Sequence, residues 1–228
     1  LGFIGTNFLK KYYGTTKIIN IDKISKVSNK HYSKSSKLNS YYFIKNDLKN
    51  SQFIFNILKK HSPLKIIHFA AESHVDRSIQ NPNFFIDNNL TSTSKLLIAL
   101  NKYFISLSDK DKKKFQFIYV STDEVYGQLK LDDPSFREDD ILKPSSPYSA
   151  SKAASEMIVM SYMQTFNLPT IITRCSNNYG KYQFKEKLIP KTIHNLAKNK
   201  KIPIYGDGKN IRDWLHVDDH ISAIIFLI

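Results

Sequence analysis

Apolar runs alternate with amphipathic stretches along the chain. Lys17-Ile18-Ile19-Asn20-Ile21 and Tyr41-Tyr42-Phe43-Ile44-Lys45 are short and rich in β-branched or aromatic residues, so they predict strands. The polar stretch 22–40 between them predicts a loop. From Ser51 to Lys60 the apolar positions Phe53, Ile54, Ile57 and Leu58 share one helical face. Lys65 to Ala71 then predicts a buried strand, Phe84 to Leu100 one long helix, and Phe115 to Val120 another strand. A helix over Pro147–Phe166, a strand over Thr170–Thr173 and a helix over Leu188–Lys198 complete the order. Strands separated by helices are the pattern of an α/β fold with a doubly wound parallel sheet. Residues 1–175 are expected to form that sheet domain, and 176–228 part of a smaller domain interleaved with it.

Several candidate residues fall just beyond predicted strands: Gly2 to Gly5, Asp22, Asp47, Ala70 to Ser73 and Thr122 to Glu124. In an open α/β sheet, ligands bind in the crevice beyond the carboxyl ends of the strands. Gly2-Phe3-Ile4-Gly5 reads as the end of a glycine-rich loop entering a helix, where backbone amides can meet a pyrophosphate. Asp22, at the end of the next strand, can bind both ribose hydroxyls of NAD and would repel the 2′-phosphate of NADP. Lys23 beside it works against that preference. An ordinary turn and a loop cap are the plain alternatives for these two features. The strand that should precede Gly2 is absent, and its central place in such a sheet would leave two neighbours with bare edges. Ile228 falls in an apolar helical run beginning near His216. The chain is therefore expected to be a piece of a longer protein.

Tyr148 and Lys152 share one face if their segment is helical. A lysine cation near a phenol favours the phenolate and can lower its pKa by about 1–3 units. Tyr148 is thus a candidate base for an alcohol proton. Ser121-Thr122-Asp123-Glu124-Val125-Tyr126-Gly127 adds two adjacent carboxyls, which simple alcohol oxidation does not need. Together they suggest oxidation followed by acid–base elimination. Adjacent residues on a regular strand point to opposite faces. Both acids can reach one substrate only if the strand ends near Thr122 and the chain turns. A polar strand-end turn and a helix-start aromatic are the bland alternatives.

The 228 residues, 41% hydrophobic and 13% aromatic, suit one large α/β domain or a domain plus part of a second. A net charge of +14 invites a nucleic-acid partner. The lysines are scattered, however, and the cluster from Lys110 to Lys114 contains Asp111, so no nucleic acid is expected. Coding bias or an anionic substrate explains the charge. The single Cys175 excludes an internal disulfide and fits a reducing compartment. No apolar run reaches the roughly 18–20 residues of a membrane span, and no signal-peptide pattern is present, so a cytoplasmic protein is expected. His68, His74, His194, His216 and His220 show no paired metal-ligand spacing. Asp218-Asp219 reads as a helix-start acid pair.

With these residues in place, the chain resembles the extended short-chain dehydrogenase/reductase family, in its NAD-dependent epimerase/dehydratase branch. The likeness covers nearly the whole chain. It is carried by Ala70-Ala71-Glu72-Ser73-His74-Val75-Asp76-Arg77-Ser78, by Ser121 to Gly127, and by Pro144 to Lys152. Cys175-Ser176-Asn177-Asn178-Tyr179-Gly180, Glu186-Lys187-Leu188-Ile189-Pro190, Pro203-Ile204-Tyr205-Gly206 and Ile211-Arg212-Asp213-Trp214 extend it. Thr122-Asp123-Glu124 is the most specific, because related epimerases and decarboxylases carry other residues where Asp123 lies.

The resemblance implies dehydration of dTDP-glucose to its 4-keto-6-deoxy product, catalysed by Thr122, Asp123, Glu124, Tyr148 and Lys152. It implies NAD contacts from Gly2, Phe3, Ile4, Gly5, Asp22, Lys23, Ile24, Ser25, Asp47 and Leu48. Phe69, Ala70, Ala71, Glu72, Ser73, Tyr148, Lys152 and Asn178 continue that set. Nucleotide-sugar contacts are implied for Ser73, Thr122, Asn177, Lys187, Leu188, Pro203, Ile204, Tyr205 and Arg212, with residues 176–228 a truncated part of the sugar-nucleotide-binding portion. Lys187 and Arg212 suit a diphosphate. A homodimer through the helices around Phe84–Leu100 and Tyr148–Phe166 is implied too. Asn88 and Ser25 stand where the family has threonine, and Lys181 where proline is common. The alternatives are a UDP-glucose 4,6-dehydratase, a 4-epimerase or decarboxylase, and a non-catalytic NAD-binding scaffold.

Overall fold

The apolar runs become strands in the computed structural model, which describes residues 1–26, 28–35, 40–130, 132–204 and 207–228. In chain order these are α1 (Phe3–Tyr12), β1 (Ile18–Asp22), a 3-10 turn (Lys30–Tyr32), β2 (Tyr41–Lys45), α2 (Ser51–His61) and β3 (Lys65–His68). Then come α3 (Val75–Gln80), α4 (Pro82–Phe85), a π-helical segment (Ile86–Thr91), α5 (Ser92–Ile105), α6 (Asp109–Lys112) and β4 (Gln116–Thr122). A 3-10 turn (Asp123–Tyr126), α7 (Pro147–Phe166), β5 (Thr170–Cys175), β6 (Asn177–Tyr179), α8 (Leu188–Leu196), β7 (Trp214–His216) and α9 (Val217–Phe226) follow. These elements form two compact units. One is Leu1–Asn20, Ile24–Ile44 and Ser176–Ile228; the other is Ile21–Lys23 and Lys45–Cys175.

The second unit is built on a parallel sheet in the order β3-β4-β5, with Ile67 opposite Ile118 and Tyr119 opposite Ile172. Phe117, Ile118, Tyr119 and Val120 of β4 are all buried. Such a continuous buried run marks a strand covered on both faces, as the parallel α/β architecture requires. Helix α5 packs against α2 and α7. Their apolar stripes supply Ile54, Leu58, Leu97, Leu100, Tyr103 and Val159 to one core with Phe117 and Tyr119. Asn50 caps α2 by accepting the Phe53 N–H at 3.0 Å, and the helix stops at left-handed Ser62. A capping box between Ser146 and Ser149, with Pro147 in the first turn, fixes the start of α7.

The larger differences from the sequence expectation lie at β3 and at the long helix. The strand expected to reach Ala71 ends at His68, because the chain leaves the sheet before its apolar run is exhausted. The long helix expected over Phe84–Leu100 is interrupted by the π segment. Within it the polar Asn88 and Asn89 are buried, at 9% and 2% exposure. Helix α3 and the three-residue strands β6 and β7 had no periodicity long enough to announce them.

β1 pairs with β2, and in the first unit β6 runs parallel to β7. Leu1, Leu9 and Tyr41 form a small core with Tyr13, Ile18, Tyr32 and Phe43 packed around it. Helix α1 packs on α9. Asp218 and Asp219 occupy the first turn of α9, where His216 Nδ1 accepts the Asp218 N–H at 3.3 Å, so the acid pair is a helix start. Among the described residues, no helix is long and apolar enough to cross a membrane, and no group of three potential metal ligands occurs.

His68, the last residue of β3, is buried with its Nε2 3.0 Å from the Thr93 hydroxyl. Burial, with the Lys152 ammonium adding, depresses its pKa from 6.5 to about 3. The unfolded chain therefore takes up this proton first. Its contribution to stability is complete above about pH 6.5 and is lost as the pH falls toward about 3. Unfolding by urea across that window should show a positive slope of stability with pH, and His68→Gln should flatten it.

Candidate active site

The acid-bearing turn follows from how β4 ends. Thr122 is the last extended residue, and its hydroxyl accepts the Glu124 N–H at 3.3 Å as the cap of the 3-10 turn. The same hydroxyl donates to Asp123 Oδ1 at 3.1 Å. The strand thus stops where two adjacent acids need it to stop, and both leave the alternation of the sheet together. The turn's far side is pinned by the Lys143 N–H, which donates to the Val125 carbonyl at 3.0 Å. Gly127 closes it at φ 99°, where a Cβ would lie 2.4 Å from the Lys143 carbonyl oxygen. Only glycine fits there.

Tyr148 stands in the first turn of α7, with its own N–H donating to the Ser78 hydroxyl at 3.1 Å. It is 7% exposed. One helical turn on, Lys152 is buried, its Nζ donating to the Val120 carbonyl at 2.8 Å and lying 4.3 Å from the Tyr119 ring centroid. The Tyr148 phenol is held well above its ordinary pKa of 10.0, chiefly by burial, with Glu124, Cys175 and Tyr119 adding to the rise. A side-chain hydrogen bond with Thr122 works the other way. This corrects the expectation that Lys152 would lower it. Desolvation is the largest cause, and the Lys152 ammonium is engaged by a backbone carbonyl and an aromatic face. Thr122, Asp123, Glu124, Tyr148 and Lys152 are nonetheless brought together within the second unit, linked through the Thr122 hydroxyl and the Val120 carbonyl.

The other candidates of this unit lie around strand ends. The Asp22 carbonyl accepts the Asn46 N–H at 3.2 Å. Lys23 donates to the Asn88 side-chain oxygen, lies 3.9 Å from the Glu72 carboxylate, and sits over the Phe84 ring. Asp47 Oδ1 accepts the Lys49 N–H at 3.0 Å in the turn that also holds Leu48. Phe69, Ala70, Ala71, Glu72 and Ser73 form the irregular segment after β3, with Ala70, Ala71 and Ser73 exposed. Its shape is set by a residue that the sequence did not single out. Asn89 accepts the Glu72 N–H at 2.8 Å and donates to the Glu72 carbonyl at 3.0 Å and to Ser151 Oγ at 2.9 Å. Asn89 and Ser78 were missed because each looks like an ordinary polar residue on a short helical stretch. A polar pair at 88–89 inside an apolar run was the available signal.

In the first unit, Gly2 is the N-cap of α1, which has no side-chain cap. Gly2, Phe3, Ile4 and Gly5 make up the cap and first turn, and a Cβ at Gly2 would meet nothing within 4 Å. Ile24 is held at φ 57°, a strained conformation for a β-branched residue, and the Ser25 N–H donates to Ser28 Oγ at 2.9 Å. Asn178 Oδ1 lies 2.8 Å from His220 Nδ1, while its amide donates to the Ser176 carbonyl at 3.0 Å. Asn177 pairs with Trp214 in the β6–β7 ladder. Lys187 is the N-cap of α8, followed by exposed Leu188. Pro203, Ile204 and Arg212 lie in irregular segments, with Ile204 and Arg212 exposed. Tyr205 lies outside the described residues.

Gly127→Ala tests how the turn is built. The left-handed backbone and the Lys143 carbonyl both oppose a methyl group, so the variant should lose about 1–3 kcal/mol of stability. Urea unfolding reads that loss, and a variant as stable as the parent would contradict the packing described.

Residues 1–228 match the family model described as GDP-mannose 4,6 dehydratase. A dTDP-glucose 4,6-dehydratase of Haemophilus influenzae is 46% identical over 97% of this chain and 67% of its own length. One of Salmonella typhimurium is 44% identical over 100% of this chain and 66% of its own length. The solved structure of a dTDP-glucose 4,6-dehydratase of Bacillus anthracis, in complex with NAD, superposes with a TM-score of 0.84 at 43% identity. It covers 99% of this chain and 68% of that one. The chain thus spans about two thirds of the length of these relatives, and its α/β architecture is of the same Rossmann type. Similarity that runs through every element carrying the acidic turn and the Tyr148–Lys152 helix decides the matter: the chain belongs to the GDP-mannose 4,6 dehydratase family, together with dTDP-glucose 4,6-dehydratases.

Proposed function

We propose that this protein is a dTDP-glucose 4,6-dehydratase that works with NAD and releases the 4-keto-6-deoxy sugar and water. One observation carries the reading. The Thr122 hydroxyl is bonded to Asp123, caps the turn that holds Glu124, and shares a hydrogen bond with Tyr148. A site for alcohol oxidation and a carboxyl pair for elimination therefore meet at one side chain. Relatives with the same printed activity support the substrate, and a relative crystallised with NAD supports the cofactor.

The residues fit that cofactor. The uncapped start of α1 offers backbone amides to a pyrophosphate, with open space at Gly2. Asp22, at the end of β1, suits a ribose diol, and Lys23 is already engaged by Asn88 and close to Glu72. NAD, when bound, would supply a hydride acceptor for C4 and a hydride donor for C6, and its positive charge would oppose the burial that keeps Tyr148 protonated. Residues 1–175 would carry most of this binding, and 176–228 part of the nucleotide-sugar contacts.

Tyr148 takes the proton of the 4-hydroxyl as C4 is oxidised, with Thr122 holding the phenol and Lys152 fixed beneath by Val120. The C4 ketone acidifies the proton at C5. Glu124 removes that proton while Asp123 protonates the departing 6-hydroxyl, which leaves as water. A carboxylic acid beside a carboxylate is the pairing such an elimination needs, because hydroxide is a poor leaving group. Glu124 returns a proton to C5 as C6 is reduced. Hydride leaves and returns within one cycle, so no external oxidant is consumed.

Helices α5 and α7 also present exposed apolar side chains, among them Ile98, Ile105, Met157, Met160 and Phe166. Together with a pocket lined by Ile86, Leu90, Pro147 and Ala154, they support a homodimer through these helices. A single half-buried cysteine and the absence, among the described residues, of a membrane-spanning helix fit work in the cytoplasm.

The full-length protein should convert dTDP-glucose to the 4-keto-6-deoxy product without added oxidant, and faster than it converts UDP-glucose. Glu124→Gln should cut product formation by roughly 10²–10⁴-fold while the protein stays folded. Preference for UDP-glucose would move the substrate assignment, and no product from either sugar in a folded, NAD-loaded protein would overturn it. Sedimentation of the same sample should give a dimer; a monomer at assay concentration would remove the homodimer.

A further inference from the structure

One ion pair of the second unit, a fully buried carboxylate with a largely buried guanidinium, is not used by the chemistry above. Arg174, in β5, sends both Nε and Nη2 to a single oxygen of Glu156, at 2.9 and 2.8 Å. Glu156 is fully buried, and its other carboxylate oxygen has no hydrogen-bond partner among the described residues. This is a costly way to stabilise a fold. Desolvating two charges offsets most of their attraction, and apolar residues of similar volume commonly do as well or better. The arrangement leaves the third nitrogen, Nη1, directed elsewhere. It donates to the Glu138 carbonyl at 3.0 Å and to the Tyr126 hydroxyl, and the guanidinium carbon lies 4.9 Å from the Tyr126 ring centroid.

Tyr126 is the last residue of the turn that carries Asp123 and Glu124. Its ring also stacks on Phe136 at 4.8 Å and 19°. The turn is therefore held at its start by Thr122, at its middle by the Lys143 amide, and at its end by Arg174. The last of these is a charged side chain, itself aimed by Glu156 from α7, the helix that also carries Tyr148 and Lys152. A small rotation of the turn would move both carboxyls relative to the tyrosine. Displacements of about 1 Å at such groups cost on the order of 100-fold in rate.

We propose that Arg174 is a positioning residue for the carboxyl pair. Through Tyr126 it fixes where Asp123 and Glu124 meet the C5–C6 bond of the sugar, and Glu156 is the counter-ion that orients it. This rests on the dehydratase reading. It makes a prediction that a purely structural ion pair does not: loss of Arg174 slows water elimination and spares oxidation at C4.

The test uses the full-length enzyme with dTDP-glucose and two variants. Arg174→Met combined with Glu156→Leu removes both charges and leaves no lone charge buried. Tyr126→Phe removes only the hydroxyl and keeps the ring on Phe136. For each, kcat, KM, melting temperature, the absorbance of reduced cofactor and deuterium uptake at C5 from heavy water are measured. The double variant is expected to melt close to the parent, to lose about 100-fold in kcat with little change in KM, and to accumulate reduced cofactor while C5 exchange falls. Tyr126→Phe is expected to show the same pattern to a smaller degree. Parental kcat in either folded variant would overturn the proposal. So would an equal slowing of oxidation and elimination, with no build-up of reduced cofactor. If the double variant does not fold, Tyr126→Phe alone decides. A parent enzyme with neither product nor C5 exchange would instead sink the dehydratase reading, and the proposal with it.

Discussion

A strand alternates its side chains, so two consecutive acids cannot serve one substrate while the strand continues. The candidate site depends on how β4 meets this constraint. Thr122 is the last residue to obey the sheet register, pairing with Cys175 of β5. Its hydroxyl immediately starts the next element by accepting the Glu124 N–H, and it holds the Asp123 carboxyl group as well. A single β-branched side chain thus ends the strand, caps the turn and joins the acids to Tyr148. Everything around it serves to keep that junction in place: the close approach of Gly127 to Lys143, the stacking of Phe136 on Tyr126, and the grip of Arg174.

The chemistry around this junction is governed by burial. Tyr148, Lys152 and His68 all lie within the packed part of the sheet and helices. His68 responds by staying neutral, and the Tyr148 phenol by rising above its ordinary pKa. Lys152 is provided instead with a carbonyl and an aromatic face. In so poorly solvated a place, each fixed dipole and each added charge has more effect than it would in water. The tyrosine's acidity is consequently set first by its burial and then by the groups packed around it, rather than by the lysine four residues along the helix.

The π-helical segment has a comparable role for the chain after β3. An ordinary α-helix would keep Asn88 and Asn89 in the phase of the apolar stripe, and their polar groups would need partners in the core. The wider turn gives them those partners. Asn89 brackets the Glu72 peptide and reaches Ser151, and Asn88 takes the Lys23 ammonium. π-helical turns inside α-helices are frequent at functional sites.

The alternation of apolar runs was enough to foresee the strands β1 to β5 and helices α2, α7 and α8, because each buries a face with a regular period. Thr122, Asp123, Glu124, Tyr148 and Lys152 stood out for other reasons: the four-residue spacing of the tyrosine and lysine, the adjacency of the two acids, and the family resemblance. The need for a turn after Thr122 followed from the spacing of the two acids alone. Other features came only from packing between segments distant in sequence. The early end of β3, the π segment, the clamp of Asn89 on Glu72 and the Arg174–Glu156–Tyr126 cluster have no periodic signature. The protonation of Tyr148 belongs with them. Sequence proximity to Lys152 suggested a lowered pKa, but the electrostatic balance of a buried group is a sum over everything that surrounds it in space, and here desolvation is the larger part.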